Sequence, residues 1–205
     1  MKNDQARGHA AAFFTIVVWG TTFISTKVLL RSFQPVEILF IRFTLGLLAL
    51  FLVCPRRMKG VTRKQELLFA GAGLCGVCLY YLLENIALTY TLASNVGVIL
   101  SVIPFFTAVL SHLFWKDGRP GAGFYLGFAV AMAGICLISF SGSQLELNPA
   151  GDLLSLLAAV SWACYVILTR KISAWGWSTI MTTRRTFCWG LLWMLPALFL
   201  FDFRL

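Results

Sequence analysis

The chain has 205 residues, of which 59% are hydrophobic and 12% charged, with a formal net charge of +9. Soluble globular domains carry roughly 45–50% apolar and about 25% charged residues, so this composition leaves too little polar surface to cover a particle in water. Soluble domains are therefore excluded, as are disordered chains, which combine low hydrophobicity with high charge.

Seven apolar segments are long enough to cross a bilayer as helices, which takes about 20 residues each. In chain order they cover residues 10–30, 35–54, 66–87, 93–114, 121–140, 151–170 and 179–200. Most connections are only a few residues long, so neighbouring helices are expected to be antiparallel and in contact. The predicted fold class is all-α: a polytopic protein of about seven transmembrane helices whose first partner is the lipid bilayer.

The basic residues lie between the apolar segments and form no contiguous stripe, so no nucleic-acid partner is expected. Their distribution predicts an orientation, since cytoplasmic loops are enriched in Lys and Arg. With the N-terminus in the cytoplasm, the opposite side carries Arg31 and Arg204, with Lys27 at a helix end. The cytoplasmic side then carries Lys2, Arg7, Arg56, Arg57, Lys59, Arg63, Lys64, Lys116, Arg119, Arg170 and Lys171. We therefore predict a cell-membrane (inner or plasma membrane) protein with a cytoplasmic N-terminus.

The first two and last two segments share a pattern at a shift of 143 residues. The matched pairs are Trp19 with Trp162, Ile24 with Ile167, Thr26 with Thr169, Lys27 with Arg170, and Arg42 with Arg185. Five matches at one shift favour a duplicated unit, here of five spans. An odd number of spans inverts the second copy in the membrane, which is typical of secondary transporters. The predicted organisation is a five-helix repeat at residues 1–140 and a partial second repeat of two helices at residues 141–205.

The repeat relates two tryptophans that lie near the middle of the membrane. Trp19 and Trp162 each fall near the centre of a span, where they could line a cavity and stack on an organic substrate. Thr22 and Tyr165 could supply hydrogen bonds there. The alternative is plain packing, since small neighbours allow helices to approach closely.

Ionisable side chains inside a span are costly and are functional candidates by default. Glu84 lies about one turn from the outer surface with Asn85 beside it, and Asn95 lies at a similar depth on the next segment. Arg42 lies about seven residues, or roughly 10 Å, from the same surface. We interpret Glu84 and Arg42 as sharing an outer vestibule where they bind substrate or exchange a proton. The alternative is a structural ion pair that fixes two helices.

Two further patterns concern packing. Pro104 removes a backbone hydrogen bond in mid-span and is expected to kink the fourth helix. Gly123, Gly127 and Ala131 are spaced four residues apart, which predicts a face of close helix packing.

Several of these residues also carry a resemblance to a known family. The pieces are Trp19-Gly20-Thr21, Arg42, Glu84-Asn85-x-Ala87-Leu88-x-Tyr90-Thr91-x-Ala93-Ser94-Asn95, Pro104, and Gly151-Asp152-Leu153-Leu154 with Trp162 and Tyr165. In these motifs the chain resembles the EamA-like permeases of the drug/metabolite transporter superfamily. The resemblance implies an inner-membrane carrier that moves amino acids, other metabolites or toxic compounds, usually outward, without cofactor or ATP. Its partner would be a small-molecule substrate, and no enzyme activity is expected.

Two departures from that family matter. The family typically has ten spans, whereas seven are predicted here, and its Gly-Glu-Arg-like turn is replaced by Lys116-Asp117-Gly118-Arg119-Pro120. The second repeat therefore lacks counterparts of the third, fourth and fifth spans. Two interpretations stay open: a non-transporting fragment or assembly subunit, and a carrier completed by a second copy as a homo-oligomer.

Overall fold

The computed structural model describes residues 2–56, 58–115, 120–140 and 148–200. The side chains of residues 2–5, 115, 135, 136 and 138–140 are outside this description. The boundary predicted between residues 140 and 141 borders an undescribed stretch, and four of the five residues of the turn at 116–120 fall in another. Two of the basic residues that predict the orientation, Arg57 and Arg204, also lie outside the described residues.

All regular structure in the described residues is helical, which confirms the predicted all-α fold class. Arg63–Tyr90 is one continuous helical rod, here called the third span, in which a π-helical segment joins α3 to α4. The elements are α1 (Lys2–Leu29), α2 (Pro35–Val53), α3 (Arg63–Gly73), the π segment (Leu74–Leu79), α4 (Tyr80–Tyr90), α5 (Ala93–Leu100), α6 (Ile103–Trp115), α7 (Ala122–Phe140), α8 (Pro149–Ser173) and α9 (Thr179–Leu200).

Five helical stretches of the described chain have the length and hydropathy needed to cross a membrane, which makes the protein polytopic. They are Ala6–Leu29, Pro35–Val53, Arg63–Tyr90, Ala93–Phe114 and Pro149–Ser173. A shorter apolar helix covers Ala122–Gly134. The 22-residue α9 occupies the seventh predicted position but is not among these five, and it carries the two arginines Arg184 and Arg185.

The fourth span is broken where the sequence predicts a kink. α5 ends at Leu100, and α6 begins at Ile103 after a turn at residues 101–102. Pro104 is the second residue of α6 and has no N–H to donate to the carbonyl of Leu100, four residues earlier. The missing bond ends α5, and the fixed φ of proline suits the first turn of the helix that follows.

Contacts between helix ends define the two ends of the bundle. At one end, Nζ of Lys27 donates hydrogen bonds to the carbonyls of Leu88 and Thr91, the latter at 2.9 Å. Asn148, the N-cap of α8, lies at the same end and donates to the carbonyl of Tyr90 at 3.0 Å. A cation on the last carbonyls of a helix also interacts favourably with the helix dipole. The first, third and sixth spans therefore meet at this end.

The opposite end is held by another cation, and this one is buried. Arg184, only 6% exposed, donates through its guanidinium to the carbonyls of Cys54 and Arg56, just beyond the end of α2. Its guanidinium also lies over the ring of Phe51, 4.6 Å from the centroid. Helices that follow one another thus alternate in direction, as the short connections predict.

The third span lies between α8 and α9 at the centre of the fold. A Cβ built on Gly73 would meet the backbone nitrogen of Gly190 at 2.7 Å and the carbonyl oxygen of Thr186 at 2.8 Å. Glycine is required there because the two backbones touch. The close packing predicted at Gly123 and Gly127 is wrong, since a Cβ on either would meet nothing within 4 Å among the described residues.

Candidate functional site

The two tryptophans that the repeat predicts at mid-membrane are in contact. The ring centroids of Trp19 and Trp162 are 5.7 Å apart with the planes at 84°, an edge-to-face arrangement. The ring of Trp162 also lies 4.5 Å from Tyr80, 6.2 Å from Tyr81 and 4.9 Å from Tyr165. These five residues are called the aromatic cluster below. Edge-to-face and tilted pairs at such distances are favourable because ring edges are positive and ring faces negative.

A small cavity opens within the aromatic cluster and reaches Glu84. Its volume is about 40 Å³, enough for water but far below the roughly 300–1,000 Å³ of typical ligand pockets. The lining residues are Trp19, Thr22, Phe23, Tyr80, Tyr81, Glu84 and Trp162. Four of the eight predicted site residues therefore border one cavity, which is closed to an organic molecule in this conformation.

Glu84 is the acidic group of this site. It is 5% exposed and lies one helical turn after Tyr80, whose hydroxyl is its hydrogen-bond partner. Arg42 is close enough to act on it electrostatically. Even so, Oε2 of Glu84 and Nη2 of Arg42 are buried without a hydrogen-bond partner among the described residues. Buried charges normally have such partners, so both groups retain capacity for a further polar ligand.

Arg42 is held by aromatic rings. Its guanidinium carbon lies 4.7 Å from the ring centroid of Tyr81 and 5.6 Å from that of Phe43. Such cation–π contacts stabilise a guanidinium out of water. Arg42 therefore stands beside the aromatic cluster on the side of α2, while Glu84 stands on the third span.

The π segment sets the direction in which Tyr80 and Glu84 point. The N–H of Tyr80 bonds to the carbonyl of Cys75, five residues back, and the Ser161 hydroxyl donates to the same carbonyl at 2.9 Å. A π turn holds one more residue than an α turn and is frequent at functional sites. Tyr165 packs directly onto Gly76 in this segment, which brings α8 against the irregular turn.

The structure places the remaining predicted residues in other roles. Asn85 is fully buried and donates from Nδ2 to the carbonyl of Pro35 at 3.3 Å, which ties the third span to the start of α2. Asn95 donates to Oγ1 of Thr91 at 3.1 Å, at the connection between the third and fourth spans. Neither residue lines the cavity beside Glu84. Tyr165 belongs to the aromatic cluster and packs on Gly76, but it does not line the cavity.

Sequence analysis missed Tyr80 and Tyr81, which contribute two rings and a hydroxyl to the site. The available signal was the spacing of Tyr80 and Glu84, since residues four apart share a helix face. It also missed Glu66, which lies outside the cavity at the other end of the third span. Glu66 forms an ion pair with Arg185 through the Nε–Oε2 and Nη2–Oε2 contacts of 2.9 and 2.5 Å. It also accepts a hydrogen bond from Nε1 of Trp189 at 2.5 Å.

These features define a polytopic membrane protein with an aromatic and acidic site between its helices. Residues 6–140 match the EamA-like transporter family, and the chain belongs to that family. Relatives include an uncharacterized transporter of Archaeoglobus fulgidus, 28% identical over 82% of this chain and 59% of its own length. The uncharacterized transporter YdfC of Bacillus subtilis is 28% identical over 82% of this chain and 55% of its own.

A third relative carries its location in its name. The uncharacterized inner membrane transporter YedA of Escherichia coli K12 is 28% identical over 75% of this chain and 50% of its own length. The matched part thus spans between half and three-fifths of the length of these curated relatives. The resemblance seen in the sequence motifs is thereby confirmed: the chain is a polytopic membrane protein of the EamA-like transporter family.

Proposed function

We propose that the protein is a secondary transporter of the inner or plasma membrane. It moves small organic solutes such as amino acids or other metabolites, in the direction of export, by alternating access. The observation that carries this proposal is the buried Glu84 carboxylate facing a cavity walled by the aromatic cluster. Aromatic walls bind the apolar part of an organic solute, while the unpaired Glu84 oxygen binds a polar or charged part.

The closed cavity requires a moving element, and α1 is the best candidate. In the 18-residue apolar window of the span Ala6–Leu29 only 6% of the residues are buried within the protein, and Trp19 at the cavity is 49% exposed. Segments with few buried contacts open at low free-energy cost. Displacement of α1 would separate Trp19 from Trp162 and enlarge the cavity to the size of a metabolite.

Transport can be tested with the purified 205-residue chain in proteoliposomes. We would measure counterflow of a labelled amino-acid mixture and of a cationic dye, with and without a pH gradient. We expect saturable uptake that falls at least about tenfold in Glu84→Gln, since one unpaired charged contact is worth about 1.5–3 kcal/mol. Asp152→Asn is the matched control, because Asp152 lies in the first turn of α8, outside the cavity, and should retain flux.

Two results would count against the proposal. Unchanged flux in Glu84→Gln, with lower expression as the only effect, would make Glu84 a structural residue. No flux from inserted, folded wild-type protein would favour the alternative of an assembly subunit. If a pH gradient leaves the flux unchanged, the result would indicate that Glu84 binds substrate and does not exchange a proton.

A further inference from the structure

Three polar side chains that line the cavity of the aromatic cluster offer hydrogen-bond acceptors. A carboxylate can only accept, and Oε2 of Glu84 is buried without a hydrogen-bond partner among the described residues. The hydroxyl of Thr22 donates to the carbonyl of Trp19 at 2.7 Å, so its oxygen has only lone pairs left to offer. The hydroxyl of Tyr80 is committed to Glu84 in the same way. A ligand that satisfies these atoms has to bring donors.

The cavity also carries a negative charge that no lining residue balances. Among the described residues that line it, Glu84 is the one with a charged side chain. Arg42 acts on Glu84 electrostatically but stands outside this lining. Its guanidinium carbon lies 4.7 Å from the ring centroid of Tyr81, and its side chain borders a different groove, between α1 and α2. The cavity therefore favours a cation, whereas a carboxylate placed there would meet no cationic partner in the described lining.

The aromatic walls favour the same charge. The rings of Trp19 and Tyr81 are inclined at 84° and 86° to the ring of Trp162, with centroids 5.7 and 6.2 Å from it. Rings at right angles form a corner between their faces, and ring faces are negative. A cation within about 6 Å of such faces is stabilised, and more strongly once it has left water.

The size of the cavity selects among organic cations. Its volume of about 40 Å³ is enough for a group the size of water. A primary ammonium has that size and carries three N–H donors for the oxygens of Glu84, Thr22 and Tyr80. A quaternary ammonium is larger and has no N–H to donate. The cavity therefore fits the head of a primary amine, while the rest of the solute lies between Trp19 and Trp162 once α1 has moved.

We propose that the substrate is a primary organic amine without a carboxylate, bound as its ammonium ion by Oε2 of Glu84 and Oγ1 of Thr22. This inference rests on the proposed function, because it takes the cavity of the aromatic cluster as the substrate site. Among the small organic solutes named there, it favours amines over amino acids. The apolar part of the amine packs against the two tryptophans of the cluster.

Four phenyl solutes that differ at one end test this assignment. Phenethylamine carries an ammonium, phenylalanine an ammonium and a carboxylate, 3-phenylpropanoate a carboxylate alone, and 2-phenylethanol no charge. Binding of radiolabelled phenethylamine to the purified 205-residue chain in detergent is measured by equilibrium dialysis, with the other three as competitors and empty micelles as background. We expect saturable binding of phenethylamine. The others should bind at least about tenfold more weakly, because they lack the charged donor or bury an unpaired carboxylate.

Variants assign the binding to the two oxygens. Glu84→Gln should weaken phenethylamine binding at least about tenfold, since a hydrogen bond to a charged group is lost. Thr22→Val removes one acceptor at nearly constant volume and should weaken it about three- to tenfold. Asp152→Asn is the matched control, because Asp152 lies in the first turn of α8, outside the cavity. The four solutes are compared on the unaltered chain as well, so the test stands even if Glu84→Gln impairs folding.

Three results would overturn the proposal. Phenylalanine that binds as tightly as phenethylamine would make the cavity an amino-acid site, and equal binding of 2-phenylethanol would make the aromatic walls the whole cause of binding. Folded chain without saturable phenethylamine binding would exclude the ammonium site. Because dialysis needs no flux, phenethylamine that binds without being transported would count against the transport proposal alone. Flux of labelled amino acids without phenethylamine binding would count against this inference alone.

Discussion

Glu66 is bound by two side chains of α9, although it was not predicted as a site residue. Its carboxylate accepts hydrogen bonds from Arg185 and from Nε1 of Trp189 while remaining 28% exposed. The pair is partly screened by its surroundings, so its contribution is smaller than that of a dry ion pair. Its position joins the start of the third span to α9.

Replacing Glu66 with Gln should lower the free energy of unfolding by about 1–3 kcal/mol, since a charged hydrogen-bond acceptor is lost. Thermal unfolding in detergent measures the loss. Arg185→Gln should cost a similar amount, and the double variant should cost less than the sum, because both single changes break one pair. Strict additivity of the two changes would show that the ion pair contributes no stability.

The residues of the candidate site were predictable to different degrees. Trp19 and Trp162 followed from the repeat, and Glu84 followed from the cost of a charge in a membrane. Tyr81 did not, because aromatic residues are ordinary in an apolar segment, and Tyr80 was marked only by its spacing of four residues from Glu84. Asn85 was predicted at the site for its depth, but depth does not fix which face of a helix a residue occupies, and it bonds to Pro35.

At the scale of elements, the third span depends on glycine where it crosses α9. Gly73→Ala should destabilise the protein by about 1–3 kcal/mol, since the added methyl would overlap backbone atoms that cannot rotate away. Gly127→Ala on α7 is the matched control, because a methyl there meets open space, and alanine favours a helix over glycine by roughly 0.5–1 kcal/mol. Melting temperatures in one detergent compare the two. Equal losses would contradict the backbone contact.

The apolar composition was enough to predict where most spans lie along the chain. It was not enough to predict which face of each helix points towards the site. The ends of α2, α8 and α9 lie within about three residues of the predicted ends. The π segment could not be predicted, because no residue type marks it, and it changes the phase of every residue that follows. Extending an α-helical pattern from Glu66 therefore points Tyr80 and Glu84 in the wrong direction.

At the scale of the whole molecule, the charges predict an orientation that the structure makes testable. The loop before the third span and the start of α9 share one end of the bundle, with Arg56, Lys59, Arg184 and Arg185. The opposite end carries Arg31 and Lys27. The positive-inside rule therefore predicts that the first of these ends faces the cytoplasm.

A cysteine scan by membrane-impermeant maleimide in intact cells tests this orientation. Arg31→Cys should be labelled from outside, whereas Lys59→Cys should be labelled only after the cells are permeabilised; both positions are exposed. The unmodified chain, with its six native cysteines, gives the background. Labelling of Lys59→Cys in intact cells would reverse the orientation and place Glu84 towards the cytoplasm.

The inverted repeat remains a prediction at this scale. The contact between Trp19 and Trp162 supports it, because residues related by a two-fold axis meet where they lie next to that axis.

The π segment has a consequence for how this gene can vary in length. The π turn holds one residue more than an α turn, so removing a single codon within Leu74–Leu79 lets this turn close to α geometry while Tyr80 and Glu84 keep their direction towards Trp162. Removing a codon from the α-helical stretch Arg63–Gly73 instead rotates the rest of the third span by about 100° relative to the start of the helix, since one α-helical turn holds 3.6 residues. Loss of one codon should therefore be tolerated better in the π segment than in Arg63–Gly73, although no residue type in the sequence marks the difference.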